Sequence, residues 1–530
     1  MRVRFTAMIT CMVLLTCLLT ACGDSSTSNE SDGVLDPVNQ ASEGNGNFNV
    51  TGYPIVNEPV KMRMMAIINP AANSEFEDNL FFQTMEEMTN VQWIFETYEA
   101  AAFEEKKNLL IASKSYPDVF FKAGINRADE YNFGKQGILL DHLPLAEQYA
   151  PNLMAYLDSH PEFRNAVVTP EGNLYTLPSI DKDTIIGFNI YNKTWAEKEG
   201  ISKAPTDVDA LEEMLIAFRD GDPNNNGQQD EIPYFLNGEW HFRSSFLSFF
   251  GIYPGDYQLM VWDDKTMYVP TTDEYRQALI TARRWFTERL IDNDMFVNEN
   301  MQTVKGSEGI LGMFYDWHST GTVPEEMAKD YDILPVLKAA NGRTTWSSRN
   351  PAASGAFAIT SACEYPEVAM RWVDYMYSEE GSILADYGIE GISYQFNDKN
   401  EWEWVIPEGE ELITMRAKNT IRPGKGCPGI VWNLGPTTDW ITNEVNEWEQ
   451  ANAYAGFIPT PKLFYSDEDT KAINTINADL DAYRKEMTAK FITGEVEIDA
   501  EWENYIATSK QIGCDKLVSI YQKNYDAMYK

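Results

Sequence analysis

The chain has 530 residues, with 42 Lys and Arg against 81 Asp and Glu, giving a formal net charge of −39. Nucleic-acid binding needs clustered Lys and Arg to neutralise phosphate, and docking on anionic lipid needs basic patches, so this balance argues against both. Six cysteines are too few for a disulfide scaffold at this length, and four histidines leave little room for a His-rich metal enzyme.

The elements begin with an address. Arg2 and Arg4 precede an apolar stretch, Phe5–Ala21, which is laid out like a secretory signal and is short for a membrane span. It ends in Leu19-Thr20-Ala21-Cys22. Small residues before a Cys at the end of such a run resemble the bacterial lipobox, where a diacylglycerol is joined to the thiol and the chain is cut before it. Residues 1–21 are therefore expected to be a signal peptide and Cys22 the lipidation site, with palmitate-type acyl chains. Two acyl chains suffice for stable anchoring, and this anchor is the expected membrane contact. Residues 22–47 are rich in Ser, Asn, Gly, Asp and Glu, with no aromatic residue and no Lys or Arg. They cannot bury enough surface to order themselves and read as a flexible tether. The remaining Cys363, Cys427 and Cys514 show no metal-type spacing and read as small buried side chains.

The body alternates strands and helices. Val60–Ile68 reads as a strand, Glu75–Met88 as a helix, Val91–Glu96 as a strand, Ala101–Ala112 as a helix and Asp118–Phe121 as a short buried strand. This βαβαβ order predicts a parallel sheet with helices on its faces. In open sheets of that kind ligands sit beyond the carboxyl ends of the strands, which makes the loop starting at Lys122 a candidate rim. Leu174–Ser179 and Thr184–Asn192 read as strands, the second long enough to leave one lobe and enter another. Helices are expected near Val208–Phe218, Asp273–Leu290 and Tyr365–Ser378, and strands at Ile310–Tyr315, Tyr331–Val336 and Gly355–Thr360. The chain ends in helices over Asp467–Phe491 and Glu501–Tyr529. Trp285, Trp372 and Trp502 fall on periodic helical faces and read as core.

Several stretches carry a family likeness: GFNIYNKTW (Gly187–Trp195), DPNNNGQQDEIPY (Asp222–Tyr234), ITARRWFTERLID (Ile280–Asp292), YPEVAMRWVDYMYSEEGSILADYGIEG (Tyr365–Gly391) and KQIGCDKLVSIYQKNYDAMY (Lys510–Tyr529). In order and spacing they resemble the lipoprotein solute-binding proteins of Gram-positive ABC importers, in the oligosaccharide-binding, family 1 class. The resemblance implies an α/β, two-lobe periplasmic-binding-protein-like fold of class II, with a hinge and an interlobe cleft that closes on ligand. It implies an N-terminal lobe of residues 48–188 and 356–405 and a C-terminal lobe of residues 189–355 and 406–530. The expected function is capture of an oligosaccharide and its delivery to ABC permease subunits, by a monomer on the outer face of the cell membrane, without catalysis.

The sharpest local pattern is Asp222-Pro223-Asn224-Asn225-Asn226-Gly227-Gln228-Gln229-Asp230-Glu231. Oxygen side chains stand at positions 1, 3, 5 and 9 with Gly at 6, as a calcium loop requires, and Gln228 would lend its carbonyl. Position 12 is Pro233 and not the bidentate Glu of an EF-hand, so Glu231 must close the shell, as the loop of the resembled importers implies. The expected cofactor is structural Ca2+ on Asp222, Asn224, Asn226, Gln228, Asp230 and Glu231. A solvated Asx/Gly turn would show the same spacing without metal.

A sugar site needs flat amphipathic rings and a few polar groups. Four tryptophans lie in loops: Trp240, Trp317, Trp346 and Trp432. Trp317, directly after the Gly312-Met313 strand, resembles the aromatic that stacks on sugar in maltose-type binding proteins. Arg243, Arg349 and Lys122 could donate hydrogen bonds beside them. The expected ligand-binding set is Lys122, Trp240, Arg243, Trp317, Trp346, Arg349 and Trp432. No GxSxG elbow, HExxH or GxxxxGK[ST] loop occurs in the sequence. Two opposed carboxylates would suffice for a surface glycoside hydrolase or lyase, which stays an alternative, as does a ligand-sensing partner of a membrane receptor.

Overall fold

A computed structural model of the chain describes residues 46–68, 76–181, 187–297, 301–347, 352–421, 426–452, 456–457 and 460–530. The first lobe is built on the strand Val60–Ile67, whose buried side chains include Met62, Met64, Met65 and Ala66. A strand covered by helices on both faces reads as such a near-continuous apolar run. It pairs in parallel with Val91–Tyr98 on one side and with Val119–Phe121 on the other. The strand Ala352–Ile359 then lies antiparallel between Val119–Phe121 and Leu177–Ile180, and Gly429–Ile430 closes the six-stranded sheet. A returning strand wedged antiparallel beside the third strand is the class II arrangement that the resemblance implied.

The first helix is shorter than its pattern suggested. It runs Leu80–Thr89, because Asn79 caps it by accepting the Phe81 N–H at 3.0 Å. Trp372 is fully buried at the centre of this lobe, stacked on Phe82 with ring centroids 6.1 Å apart.

The second lobe has a three-stranded antiparallel sheet with Phe188–Asn192 between Met313–Asp316 and Tyr331–Ile333. Trp285 and Trp502 are buried in its main core, as their helical spacing suggested. The long helix Asp467–Thr493 packs along Asp273–Thr287 and ends at Gly494, whose left-handed backbone (φ 81°) is the usual helix stop. The single helix expected over Glu501–Tyr529 is two, Ile498–Ile512 and Cys514–Tyr529. Gly513 breaks it with φ 129°, a conformation closed to most side chains.

Among the described residues, successive elements fall in different lobes at three places: Leu177–Ile180 and Phe188–Asn192, Trp346–Ser347 and Ala352–Ile359, and Gly429–Ile430 and Trp440–Asn452. The third passage corrects the sequence-based boundary at residue 406. Ile421, Cys427 and Ile430 pack in the first-lobe core, because Gly429–Ile430 pairs with Leu177–Ile180. Among the described residues Cys363, Cys427 and Cys514 form no disulfide, and burial pushes the thiols of Cys363 and Cys514 up to about 12 and about 11.

Candidate functional site

The strand Met313–Asp316 organises the candidate site. Tyr315 is buried, and three aromatic rings surround it: Trp240 at 5.7 Å, His241 at 5.3 Å and Trp346 at 6.5 Å between centroids. His241 is buried too, accepts the Asn237 N–H on Nδ1 at 2.9 Å, and is pushed down to about 3 by burial, so its imidazole is neutral near pH 7. Gly187 comes so close that a Cβ there would lie 2.8 Å from the Tyr315 ring.

On this buried base stands Trp240, 49% exposed, and next to Tyr315 in the chain comes Asp316 and then Trp317, 50% exposed. Half-exposed flat rings on rigid supports are platforms for apolar faces of a polar ligand. The Trp317 loop is fixed by Asp316, which accepts the Trp317 N–H at 2.7 Å, the Thr322 hydroxyl at 2.7 Å and the Gln302 amide at 3.1 Å.

Trp240 also borders a cavity of about 720 Å³ in the second lobe, lined further by Asn237, Glu239, Arg243, Asp481 and Arg484. Its size is that of a small-molecule site. Arg484 is 2% exposed and pairs with Glu239 and, at 2.6 Å, with Asp481; Arg243 approaches Glu239 at 3.8 Å. The Nε atoms of Arg243 and Arg484 are buried and have no hydrogen-bond acceptor among the described residues. Arg484 is thus held inside the wall by its carboxylates, while the partly exposed Arg243 side chain can donate to oxygen atoms of a ligand.

Other nominated residues fall elsewhere. Trp346 is buried, donates from Nε1 to the Gly187 carbonyl at 3.0 Å, and packs on Trp448, so it is a core ring and not a platform. Lys122 is also buried; its ammonium donates to the Ile421 carbonyl at 2.8 Å, which binds two segments of the first lobe together. Trp432 is half-buried on the first lobe, its N–H donating to Asp386 at 3.3 Å and its carbonyl accepting from the Tyr387 hydroxyl at 2.9 Å. Arg349 and Cys22 lie outside the described residues. Sequence reasoning missed Tyr315, His241, Glu239, Asp481 and Arg484. Glu239 and His241 flank Trp240 and were within reach, but Arg484 sits on a helix more than two hundred residues away.

The Asp222–Glu231 loop follows the helix Val208–Asp220. Asp222 accepts the Asn226 and Gly227 N–H groups, both at 3.0 Å, and Asn226 accepts the Gln228 N–H at 2.7 Å while donating to Asp230. Asn225 and Gly227 take left-handed backbone to make the turn. Glu231 is different: both its carboxylate oxygens are buried without a hydrogen-bond partner among the described residues. Burial pushes its carboxyl up; the nearby backbone N–H groups of Glu231 and Asp230 offset part of this, and the charges of Asp230 and Asp222 add to the rise. A buried carboxylate beside two others is stable only if protonated or neutralised by a cation. Hard oxygen donors around an orphaned carboxylate fit Ca2+. Among the described residues no three His, Cys, Asp or Glu side chains form a metal group, so amide and main-chain oxygens would have to complete the shell.

Two α/β lobes joined by three passages, with half-exposed rings and a polar cavity, define a solute-binding protein. The chain belongs to the bacterial extracellular solute-binding protein family, whose pattern matches residues 65–383. It is 28% identical over 550 residues to the fructooligosaccharide ABC transporter substrate-binding protein FusA of Streptococcus pneumoniae serotype 4, covering 97% of each chain. The solved structure of FusA in complex with kestose superposes with a TM-score of 0.70 at 26% identity, over 88% of this chain and 99% of that one; a FusA EF-hand mutant in complex with fructo-nystose does so equally. The lipoprotein LipO of Bacillus subtilis is 27% identical over 238 residues, 41% of this chain and 46% of LipO. An HMO-binding solute-binding protein of Bifidobacterium longum infantis, 22% identical, shares the fold with a TM-score of 0.76 over 89% of this chain and all of that one. Among the described residues no helix is long and apolar enough to cross a membrane.

Proposed function

We propose that the protein captures an oligosaccharide between its lobes and delivers it, unchanged, to the permease subunits of an ABC importer. The observation that carries this is the half-exposed Trp240 ring, braced on buried Tyr315, at the edge of a cavity that the partly exposed Arg243 side chain also lines. Ring and donors together suit a ligand with apolar C–H faces and a rim of hydroxyls. Trp240, Arg243 and Trp317 act from the second lobe and Trp432 from the first. The lobes move as a hinged pair about the three passages, and the protein works as a monomer. The likeness to FusA over nearly the whole chain supports the ligand class and the importer.

Two further parts belong to this reading. Cys22 carries the lipid, and residues 22–47 hold the body off the outer face of the membrane; the likeness to LipO supports an anchor. Ca2+ is held by Asp222, Asn224, Asn226, Gln228, Asp230 and Glu231, with the orphaned Glu231 carboxylate as the strongest support in this chain and the EF-hand of FusA as support from a relative. The ion's part is structural: it neutralises the loop.

Titration calorimetry with kestose and with neutral and uronic oligosaccharides tests the reading, with mass spectrometry on the recovered sugar. Stoichiometric binding with intact sugar is the expected result. Cleaved sugar would instead establish the hydrolase, and no binding of any glycan would remove the ligand class. Continued uptake of the sugar after deletion of the gene would favour the sensing partner.

A further inference from the structure

The two lobes touch through a contact separate from the candidate site. The helix Arg127–Lys135 of the first lobe meets the helix Asp467–Thr493 of the second and the segment just before it. The Arg127 guanidinium lies 4.4 Å from the centre of the Phe464 ring, and the Tyr131 ring lies 6.2 Å from it. Phe464 is buried. Its own segment is rooted in the second lobe: Leu463 lies in the core of the C-terminal helices, the Tyr521 hydroxyl donates to the Pro461 carbonyl at 2.5 Å, and Lys462 pairs with Asp256 at 2.5 Å.

Arg127 is rooted at the passages between lobes. It pairs at 3.4 Å with Glu130, which is fully buried, and it donates to the Ala166 carbonyl. Glu130 accepts the Thr176 hydroxyl at 2.7 Å. The oxygen of that same hydroxyl accepts the Gly355 N–H at 2.8 Å. Thr176 stands directly before Leu177–Ile180, the strand that leaves the first lobe, and Gly355 lies in Ala352–Ile359, the strand that returns, where the register shifts between Ala353 and Phe357. A connected set of side chains therefore runs from both passage strands through Thr176, Glu130 and Arg127 to Phe464 of the other lobe.

We propose that Arg127 and Phe464 form a latch that holds the two lobes together in the ligand-free protein. Arginine over a desolvated ring is the favoured form of the cation–π contact, and its planar guanidinium holds the ring while its edges pair with Glu130. Any separation of the lobes on this side parts the two groups. Because Arg127 is tied to both passage strands, movement there and release of the latch are one event. The proposal does not depend on which solute is bound.

The test uses the ligand-free protein, so that it stands apart from the choice of sugar. Phe464→Leu keeps an apolar side chain of similar bulk but removes the aromatic face; Phe464→Tyr keeps the face. Small-angle X-ray scattering and amide hydrogen exchange are measured for both, with the melting midpoint of each. Phe464→Leu is expected to raise the radius of gyration and to speed exchange in both Leu177–Ile180 and Ala352–Ile359 by about 2- to 30-fold, the range such a contact covers. Phe464→Tyr should match the wild type. Wild-type scattering and exchange in Phe464→Leu would overturn the latch, as would an equal change in Phe464→Tyr. A collapse of the melting midpoint in Phe464→Leu would overturn it too, because the ring would then hold a core and not a movable contact. Arg127→Lys, which keeps the charge but loses the planar fork, should open the lobes in the same direction and to a smaller degree.

Discussion

Trp240 meets Tyr315 edge to face, with interplanar angle 71° and centroids 5.7 Å apart, so a half-exposed ring is held from below by a buried one. Edge-to-face pairs of this kind fix orientation as well as adding contact. A ring held in this way loses little further freedom when another molecule packs on it.

Replacing Trp240 by Ala should weaken oligosaccharide binding by about tenfold to a hundredfold, as loss of a central aromatic anchor does. The melting midpoint should hardly move, since half of the ring is already in water. Calorimetry and a melting curve on the same sample check both halves. An unchanged affinity would remove Trp240 from the site.

Gly187→Ala should impair the same site by a different route. Gly187 has φ 148°, and its added Cβ would press on Tyr315. Backbone strain of this kind costs about 1–3 kcal/mol. Stability should drop by that order, and affinity for sugar should fall because Tyr315 must shift beneath Trp240. Chemical denaturation with a binding titration measures the two effects.

Calcium should stabilise the protein, and a chelator should lower its melting temperature. Binding at a hundred times the dissociation constant contributes about 2.7 kcal/mol. Glu231→Gln removes the orphaned charge, so this variant should lose the response to calcium and suffer less from chelation. A wild-type midpoint indifferent to chelator would make the loop an ordinary Asx/Gly turn.

Acid should destabilise the fold through buried histidine. His142 is fully buried, with Nδ1 against the Leu174 carbonyl at 3.0 Å and Nε2 accepting the Ile359 N–H at 2.7 Å, and burial pushes it down to about 4. A histidine held below its unfolded value of about 6.5 contributes stability above that pH and loses it as pH falls toward 4. His241 acts in the same sense. Asp374 opposes them: burial pushes its carboxyl up to about 6, so it favours the folded state at low pH and loses that contribution as pH rises from about 4 to 6. Glu444, pushed up to about 7 by burial and by Asp332, and Glu130 and Glu231, held up by burial, act in the same sense as Asp374. The histidine share is therefore read by comparison: a His142→Gln variant should lose less of its melting midpoint than the wild type between pH 6.5 and 4, and parallel profiles would contradict it.

Much of the first lobe was readable because its signals are local. The strand Val60–Ile67, the strand Val91–Tyr98 and the short Val119–Phe121 follow from apolar runs of limited length, and Trp372 from helical spacing. The stop at Gly513 was missed because the periodic face continues across it, although the residue itself is the one that ends helices. Trp346 misled because its sequence neighbours look like a loop, while its ring enters the core beside Trp448. Lys122 misled in the same way: it follows a strand end, as rim residues do, but its ammonium is taken by a carbonyl from residue 421.

Local pattern determined the secretory signal layout, the calcium-type spacing at Asp222–Glu231, the parallel βαβαβ start and the family. Those properties depend on neighbours within a few turns of helix or strand, and chain order preserves them. Only the tertiary structure decided which tryptophans are exposed and which are core, that Arg484 shares a cavity wall with Trp240, that Ile421, Cys427 and Ile430 return to the first lobe, and that Arg127 reaches Phe464. Each depends on a long-range packing choice: a side chain's exposure is set by whichever distant segment covers it, and no spacing along the chain carries that information.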